Sequence, residues 1–75
     1  MVFDRNMNIL GDGDMIVRTE PFVSTGIMFF LRDVSWFSQE GVVSMEGQAM
    51  SDGSVAVVEV PEGTILREFE LAYSC

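Results

Sequence analysis

The sequence contains no lysine and no histidine, and its single cysteine is Cys75. Without histidine there is no Ser–His or Cys–His catalytic pair, and without lysine there is no Schiff base and no phosphate-binding lysine of a P-loop. A single cysteine rules out an intrachain disulfide. One cysteine without any histidine also cannot supply the four ligands of a structural zinc site. We therefore expect a protein that is not an enzyme and uses no cofactor and no metal.

Two acidic patterns are the remaining candidates for site chemistry. Asp12-Gly13-Asp14 resembles part of a calcium-binding loop, but neither the register that begins at Asp12 nor the one that begins at Asn8 places suitable residues at the other positions that such a loop requires. Glu68 and Glu70 are two residues apart, so a strand would place both on one face. Nothing in the sequence gives these two carboxylates the different environments that a catalytic pair needs. We interpret the first pattern as a turn and the two glutamates as an exposed face, available as a candidate protein interface.

The ionic composition is strongly acidic. Twelve Asp and Glu residues stand against four Arg residues, which gives a net charge of −8. Such a surface repels phosphates, so we expect no direct binding of nucleic acid and no binding to anionic membranes. The acidity could serve solubility alone. Alternatively, the protein could be a small acidic inhibitor of the viral anti-defence type, a nucleic-acid mimic that blocks a nucleic-acid-binding protein.

The apolar content is high for so short a chain. Hydrophobic residues make up 48% of the 75 residues, with six Met and six Phe. A small domain has little interior, and exposed apolar surface usually marks an interface. Methionine adapts well to irregular surfaces. Although these side chains could all fill the core, we favour a protein-binding or assembly module that self-associates or docks on a larger protein.

The N-terminal stretch MVFDRNMNIL lacks the basic start and the apolar run of a signal peptide. The longest apolar run, Ile27–Leu31, is far shorter than the ~20 residues of a membrane helix. We expect a soluble, cytoplasmic protein, which would reside in the host cytoplasm or the virion if it is viral.

Turn signals centred on glycine recur at intervals of about 10 to 15 residues, which indicates an all-β chain. We predict one mainly β domain, residues 1–75, built as a small antiparallel meander, sandwich or barrel of about five to six strands. Residues 1–23 should form a hairpin of Val2–Leu10 and Met15–Phe22, and residues 41–75 a three-stranded meander.

Two strands of that meander have distinct patterns. Residues 42–50 alternate, with Val43 and Met45 on one face and Ser44 and Glu46 on the other. Residues 54–60 are rich in valine on both faces, which is typical of a central strand.

Residues 24–40 allow two interpretations. Ile27, Phe30, Leu31 and Val34 have the spacing of one helix face, which would give a ββαβββ order and an α+β fold. The aromatic content and the rhythm of turns favour a strand.

The same segment holds the densest aromatic cluster. Phe29, Phe30, Trp36 and Phe37 surround Arg32, and these residues form either core or a protein-binding surface. Aromatic residues and arginine dominate interface energetics, and Trp36 is the first choice for an anchor.

Overall fold

A computed structural model of the chain describes residues 1–20, 23–37 and 40–75. Within these residues the regular structure is β throughout, and no residue is helical. The strands are β1 (Val2–Asp4), β2 (Ile9–Leu10), β3 (Met15–Glu20), β4 (Val23–Phe37), β5 (Val42–Ala49), β6 (Val55–Pro61), β7 (Ile65–Leu66) and β8 (Phe69–Tyr73). They form a three-stranded sheet in the order β2-β1-β7 and a five-stranded sheet in the order β6-β5-β4-β3-β8. The mainly β prediction is confirmed.

The middle segment is a strand, and a β-bulge explains its helix-like spacing. β4 pairs with β5, and the register shifts between Leu31 and Asp33. Leu31 pairs with Gly47 and Val34 pairs with Met45, so both face the same side of the sheet although they are three residues apart. A bulge adds one extra residue to the strand, so neighbouring side chains on the same face are three residues apart across it instead of two. The helical ββαβββ alternative is therefore wrong.

The N-terminal region differs from the predicted hairpin. Val2 pairs with Leu10 inside the small sheet, and β3 pairs with β4 in the large one. The chain turns within the predicted first strand because the Asp4 carboxylate accepts hydrogen bonds from the main-chain N–H groups of Asn6 and Asn8. Such local acceptors compete with strand pairing and favour a tight turn.

The C-terminal region is a meander only in its first two strands. β5 and β6 pair antiparallel, as predicted. β7 instead pairs in parallel with β1, and β8 lies antiparallel beside β3. Arg67 and Glu68 form a turn between them, and the main-chain carbonyls of Glu68 and Phe69 accept hydrogen bonds from Thr19 and Arg5. The last strand therefore closes against the N-terminal half of the chain.

The core lies between the two sheets and is small. Val43 and Met45 are buried while Ser44 and Glu46 are only partly so, which confirms the alternation predicted for β5. Each such side chain contributes about 1.5–3 kcal/mol when it is fully buried. The buried apolar residues among those described are Val2, Leu10, Ile16, Leu31, Val43 and Met45.

Candidate functional site at the free edge of β6

β6 lies at the edge of the five-stranded sheet. It pairs with β5 on one side, and no strand in the described part of the chain pairs with its other side. Val60 is half-buried against the core, but the other side chains are exposed, at 44% for Val55, 64% for Val57 and 51% for Val58. The prediction of a central strand is wrong for this segment. β6 therefore has the valine-rich composition typical of a central strand but lies at the edge of the sheet.

The pairing with β5 determines which main-chain groups face outward. The N–H of Ala49 donates to the carbonyl of Ser54, and the N–H of Glu62 donates to the carbonyl of Gly41, each at 2.9 Å. The register between β5 and β6 is constant between these two ends. Because hydrogen-bonded pairs alternate in an antiparallel ladder, even-numbered residues of β6 bond to β5 and odd-numbered residues point away from it.

The outward main-chain groups are those of Val55, Val57 and Glu59, which we call the β6 edge. The next outward position is Pro61. Proline has no N–H to leave unpaired, and it is confined to such edge positions in sheets. The edge therefore offers N–H and carbonyl groups over the length of the valine-rich segment and stops at the proline.

An apolar groove of about 210 Å³ lies beside the β6 edge, on the inner face of the large sheet. Ala56 and Val58 of β6 form one wall, and Leu66 and Phe69 form the other. Phe29 lies against Phe69 in an edge-to-face arrangement, with ring centroids 5.7 Å apart and planes at 78°. This geometry is favourable for aromatic pairs and fixes the second wall.

The groove exists because small residues meet at one end of the β5–β6 hairpin. Gly47 pairs with Ala56, and Ala49 pairs with Ser54 through the hydrogen bond described above. A Cβ atom built on Gly47 would have the side chain of Leu31 and the main-chain carbonyl of Phe30 as its nearest neighbours, each at 4.0 Å. Because the residues of these two pairs have small side chains or none, they leave a space that larger side chains on these strands would fill.

The surroundings of the β6 edge carry negative charge. Ala56 and Val58 face the groove, so Val57 and Glu59 project from the opposite face, which we call the outer face. Glu46 pairs with Val57 and lies on that face too. Residues 33–66 contain no arginine and six acidic residues, which are Asp33, Glu40, Glu46, Asp52, Glu59 and Glu62.

The aromatic cluster predicted from the sequence is not gathered on one surface. Phe29 lines the groove, whereas Phe30 is the next residue along the strand and faces the other side, in line with its partners Met15 and Gln48. Arg32 is exposed at the bulge.

Trp36 and Phe37 pair through their main chains with Val43 and Val42 at the end of β4. Their side chains lie outside the described part of the structure, so the choice of Trp36 as an anchor stays a prediction.

The predicted acidic face of Glu68 and Glu70 is divided between a turn and a strand. Glu68 lies in the turn before β8, 3.7 Å from the Arg18 guanidinium. Glu70 lies in β8, and its carboxylate accepts a hydrogen bond from the Asn6 side chain at 3.1 Å. These two residues belong to the β3–β8 side of the sheet, away from the β6 edge.

The acids of the Gly11–Asp14 turn serve as acceptors for main-chain N–H groups. Asp12 accepts from Val34 at 2.6 Å, and Asp14 accepts from Gly11 and from Cys75. This bonding explains the turn and ties it to β4 and to the C-terminal residues. Over residues 1–20, 23–37 and 40–75, no group of three or more acidic or cysteine side chains is placed to hold a metal ion.

No protein family model, no curated protein and no solved structure matches the chain. In the part of the chain that the structure describes, no helix has the length and hydropathy to cross a bilayer. The site must therefore be interpreted from its own geometry. That geometry provides hydrogen-bonding main chain, an apolar groove and negative charge, which together suit the binding of an extended polypeptide.

Sequence reasoning missed Val55, Val57 and Val58 as candidate binding residues. Two signals could have found them. Pro61 directly follows the valine run, which argues for an edge, and apolar side chains on both faces of an edge strand leave part of that surface without a partner.

Proposed function

We propose that the protein is a non-enzymatic protein-binding module that docks on its partner through the β6 edge and the adjoining groove. The observation that supports this proposal is the exposed valine-rich strand at the end of the sheet. Long apolar edges invite pairing with other chains, and proteins that do not use them protect them with charges, prolines or bulges. Within β6 only Glu59 and Pro61 give such protection, and both stand towards its C-terminal end.

The balance of buried and exposed apolar residues supports the same proposal. Six apolar side chains are buried in the described residues, whereas ten large apolar side chains are exposed by 44% or more. Single exposed apolar residues are ordinary, but β6 contributes three of the ten in one continuous segment. A partner that covers this segment would remove it from water and add to the stability of a small domain.

The test is to select binding peptides from a random library displayed on phage and to titrate them into ¹⁵N-labelled protein. We expect the amide resonances of Val55–Glu59 and of the groove residues to shift. Val58→Lys should abolish binding, whereas Ile9→Lys should not, because Ile9 is 55% exposed in β2, at the edge of the small sheet opposite β7. Peptides that bind elsewhere, or a failure to select any peptide from a strictly monomeric protein, would contradict the proposal.

A second candidate function rests on the distribution of charge. The four Arg residues lie at positions 5, 18, 32 and 67, so residues 33–66, which include β5 and β6, carry six acidic side chains and no basic side chain. An acidic mimic of nucleic acid needs a surface on which negative charge predominates. Its binding to a nucleic-acid-binding protein should weaken steeply with salt, and an affinity that stays flat from low to high salt would exclude this candidate.

A further inference from the structure

We infer that the natural occupant of the groove is an extended partner segment that adds to the β6 edge as a further strand and alternates apolar with basic side chains. This inference rests on the proposed function and adds the conformation and chemistry of the partner. Three features of the site support it: the direction of the main-chain groups, the shape of the groove and the charge of the outer face.

The main-chain groups set the conformation of the partner. Val55, Val57 and Glu59 direct their N–H and carbonyl groups away from β5, with the spacing of a half-ladder. A partner strand satisfies such a row with its own main chain, which provides affinity independent of its sequence. A partner helix would leave these groups without acceptors and donors.

The groove sets the side chains on one face of the partner. A strand beside β6 would direct every second side chain over Ala56 and Val58, towards Leu66 and Phe69. The groove volume of about 210 Å³ exceeds the ~150 Å³ of an engineered cavity that accepts benzene. It can therefore take apolar side chains, which we expect at alternate positions of the partner.

The outer face sets the remaining side chains. There the partner strand would lie beside Val57 and Glu59, with Glu46 on the strand beyond. Opposite charges across neighbouring strands are favourable and like charges are unfavourable. Lysine or arginine at the alternate positions therefore complements this face.

The same charges disfavour a second copy of the chain as the occupant. Pairing of β6 with its own copy would bring two segments of residues 33–66 together, each with six acidic residues and no basic residue. The net charge of −8 on each copy adds to that repulsion. We therefore place a basic partner segment, and not a second copy, on the β6 edge.

The experiment uses the whole chain and capped synthetic peptides. The probe alternates lysine and valine over about seven residues, the length of an ordinary strand. One control peptide alternates glutamate and valine, and a second keeps the lysine–valine composition without the alternation. We expect calorimetry at low salt to show binding of the alternating basic peptide, with affinity at least about tenfold above either control.

Three variants test the mode of binding. Val57→Pro removes one outward N–H and should weaken binding about tenfold, whereas Val57→Ala keeps that N–H and should weaken it much less. If Val57→Pro fails to fold, Glu59→Lys provides the test, because Glu59 is exposed. This reversal should weaken binding of the basic peptide about fivefold and improve binding of the acidic one.

The outcomes separate the inference from the proposed function. Equal binding to Val57→Pro and Val57→Ala would overturn strand addition, although binding at the groove would leave the proposed function in place. A dimer seen by light scattering and abolished by Val57→Pro would overturn the basic segment as occupant and keep β6 as the interface. A monomer that binds none of the three peptides would overturn the inference, and the phage selection then decides the proposed function.

Discussion

The carboxylate of Asp4 accepts a hydrogen bond from the main-chain N–H of Leu71 at 2.8 Å, across 67 residues of sequence. Asp4 is fully buried, and the same carboxylate holds the turn of the β1–β2 hairpin through Asn6 and Asn8. One side chain thus joins the small sheet to β8 of the large sheet. Buried carboxylates are stable only with such partners, and Asp4 has four hydrogen bonds of this kind.

Asp4→Asn should lower the free energy of unfolding by about 3 kcal/mol, because the amide loses the charge and directs an NH₂ group at N–H donors. Chemical denaturation followed by circular dichroism measures the change. Asp33→Asn is the matched control, since Asp33 is exposed and its carboxylate, among the residues that the structure describes, accepts a hydrogen bond from Ser35 alone. A shift of less than about 0.5 kcal/mol is expected for that control. Equal stability of the two variants would mean that Asp4 does not join the sheets.

Acid should destabilise the protein through Asp4. Burial raises the pKa of Asp4, but hydrogen bonds from Leu71, Asn8 and Asn6 lower it more, so it lies below the ordinary 3.8. The stabilisation is therefore complete above the unfolded value of about 4 and is lost as pH falls through the lower folded pKa. Denaturation measured from pH 6 to pH 2 should show the difference between wild type and Asp4→Asn shrink at the acid end. A constant difference would contradict this linkage.

Glycine substitutions at Gly47 and Gly41 should have opposite signs. Gly47 lies within β5, and its added Cβ would meet nothing closer than 4.0 Å, so Gly47→Ala should stabilise by about 0.5–1 kcal/mol. Gly41 has φ of +65°, so Gly41→Ala should destabilise by about 1 kcal/mol despite open space. Thermal melts of both variants measure this. Destabilisation by Gly47→Ala would show that the groove floor is not open.

Proline substitutions should report the direction of the β6 main chain. Val58→Pro removes an N–H that bonds to β5 and should cost about 3 kcal/mol or more, whereas Val57→Pro removes an outward N–H and should cost about 1 kcal/mol. Urea denaturation of the two variants compares adjacent residues of the same type. The reverse order would mean that the odd-numbered residues bond to β5.

Composition and alternation predicted the strand content and the inward face of β5, because both depend on local pattern alone. The pairing of β7 with β1 and of β8 with β3 was not predictable, since the paired strands are far apart in sequence. Leu31 and Val34 imitated a helix because a bulge at Arg32 shifts the alternation. Valine on both faces predicted a central strand for β6. The same composition suits the centre of a sheet and an edge strand that binds another chain, and the sequence alone does not distinguish the two.

The most direct test of the account is amide hydrogen exchange of β6 by NMR, in dilute protein with and without the alternating basic peptide. In free protein we expect rapid exchange at Val55, Val57 and Glu59 and slow exchange at Ala56, Val58 and Val60. Saturating peptide should protect the first three amides and leave the others slow. Protection of the odd-numbered amides in free monomeric protein, or no added protection with bound peptide, would contradict a free edge that accepts a strand.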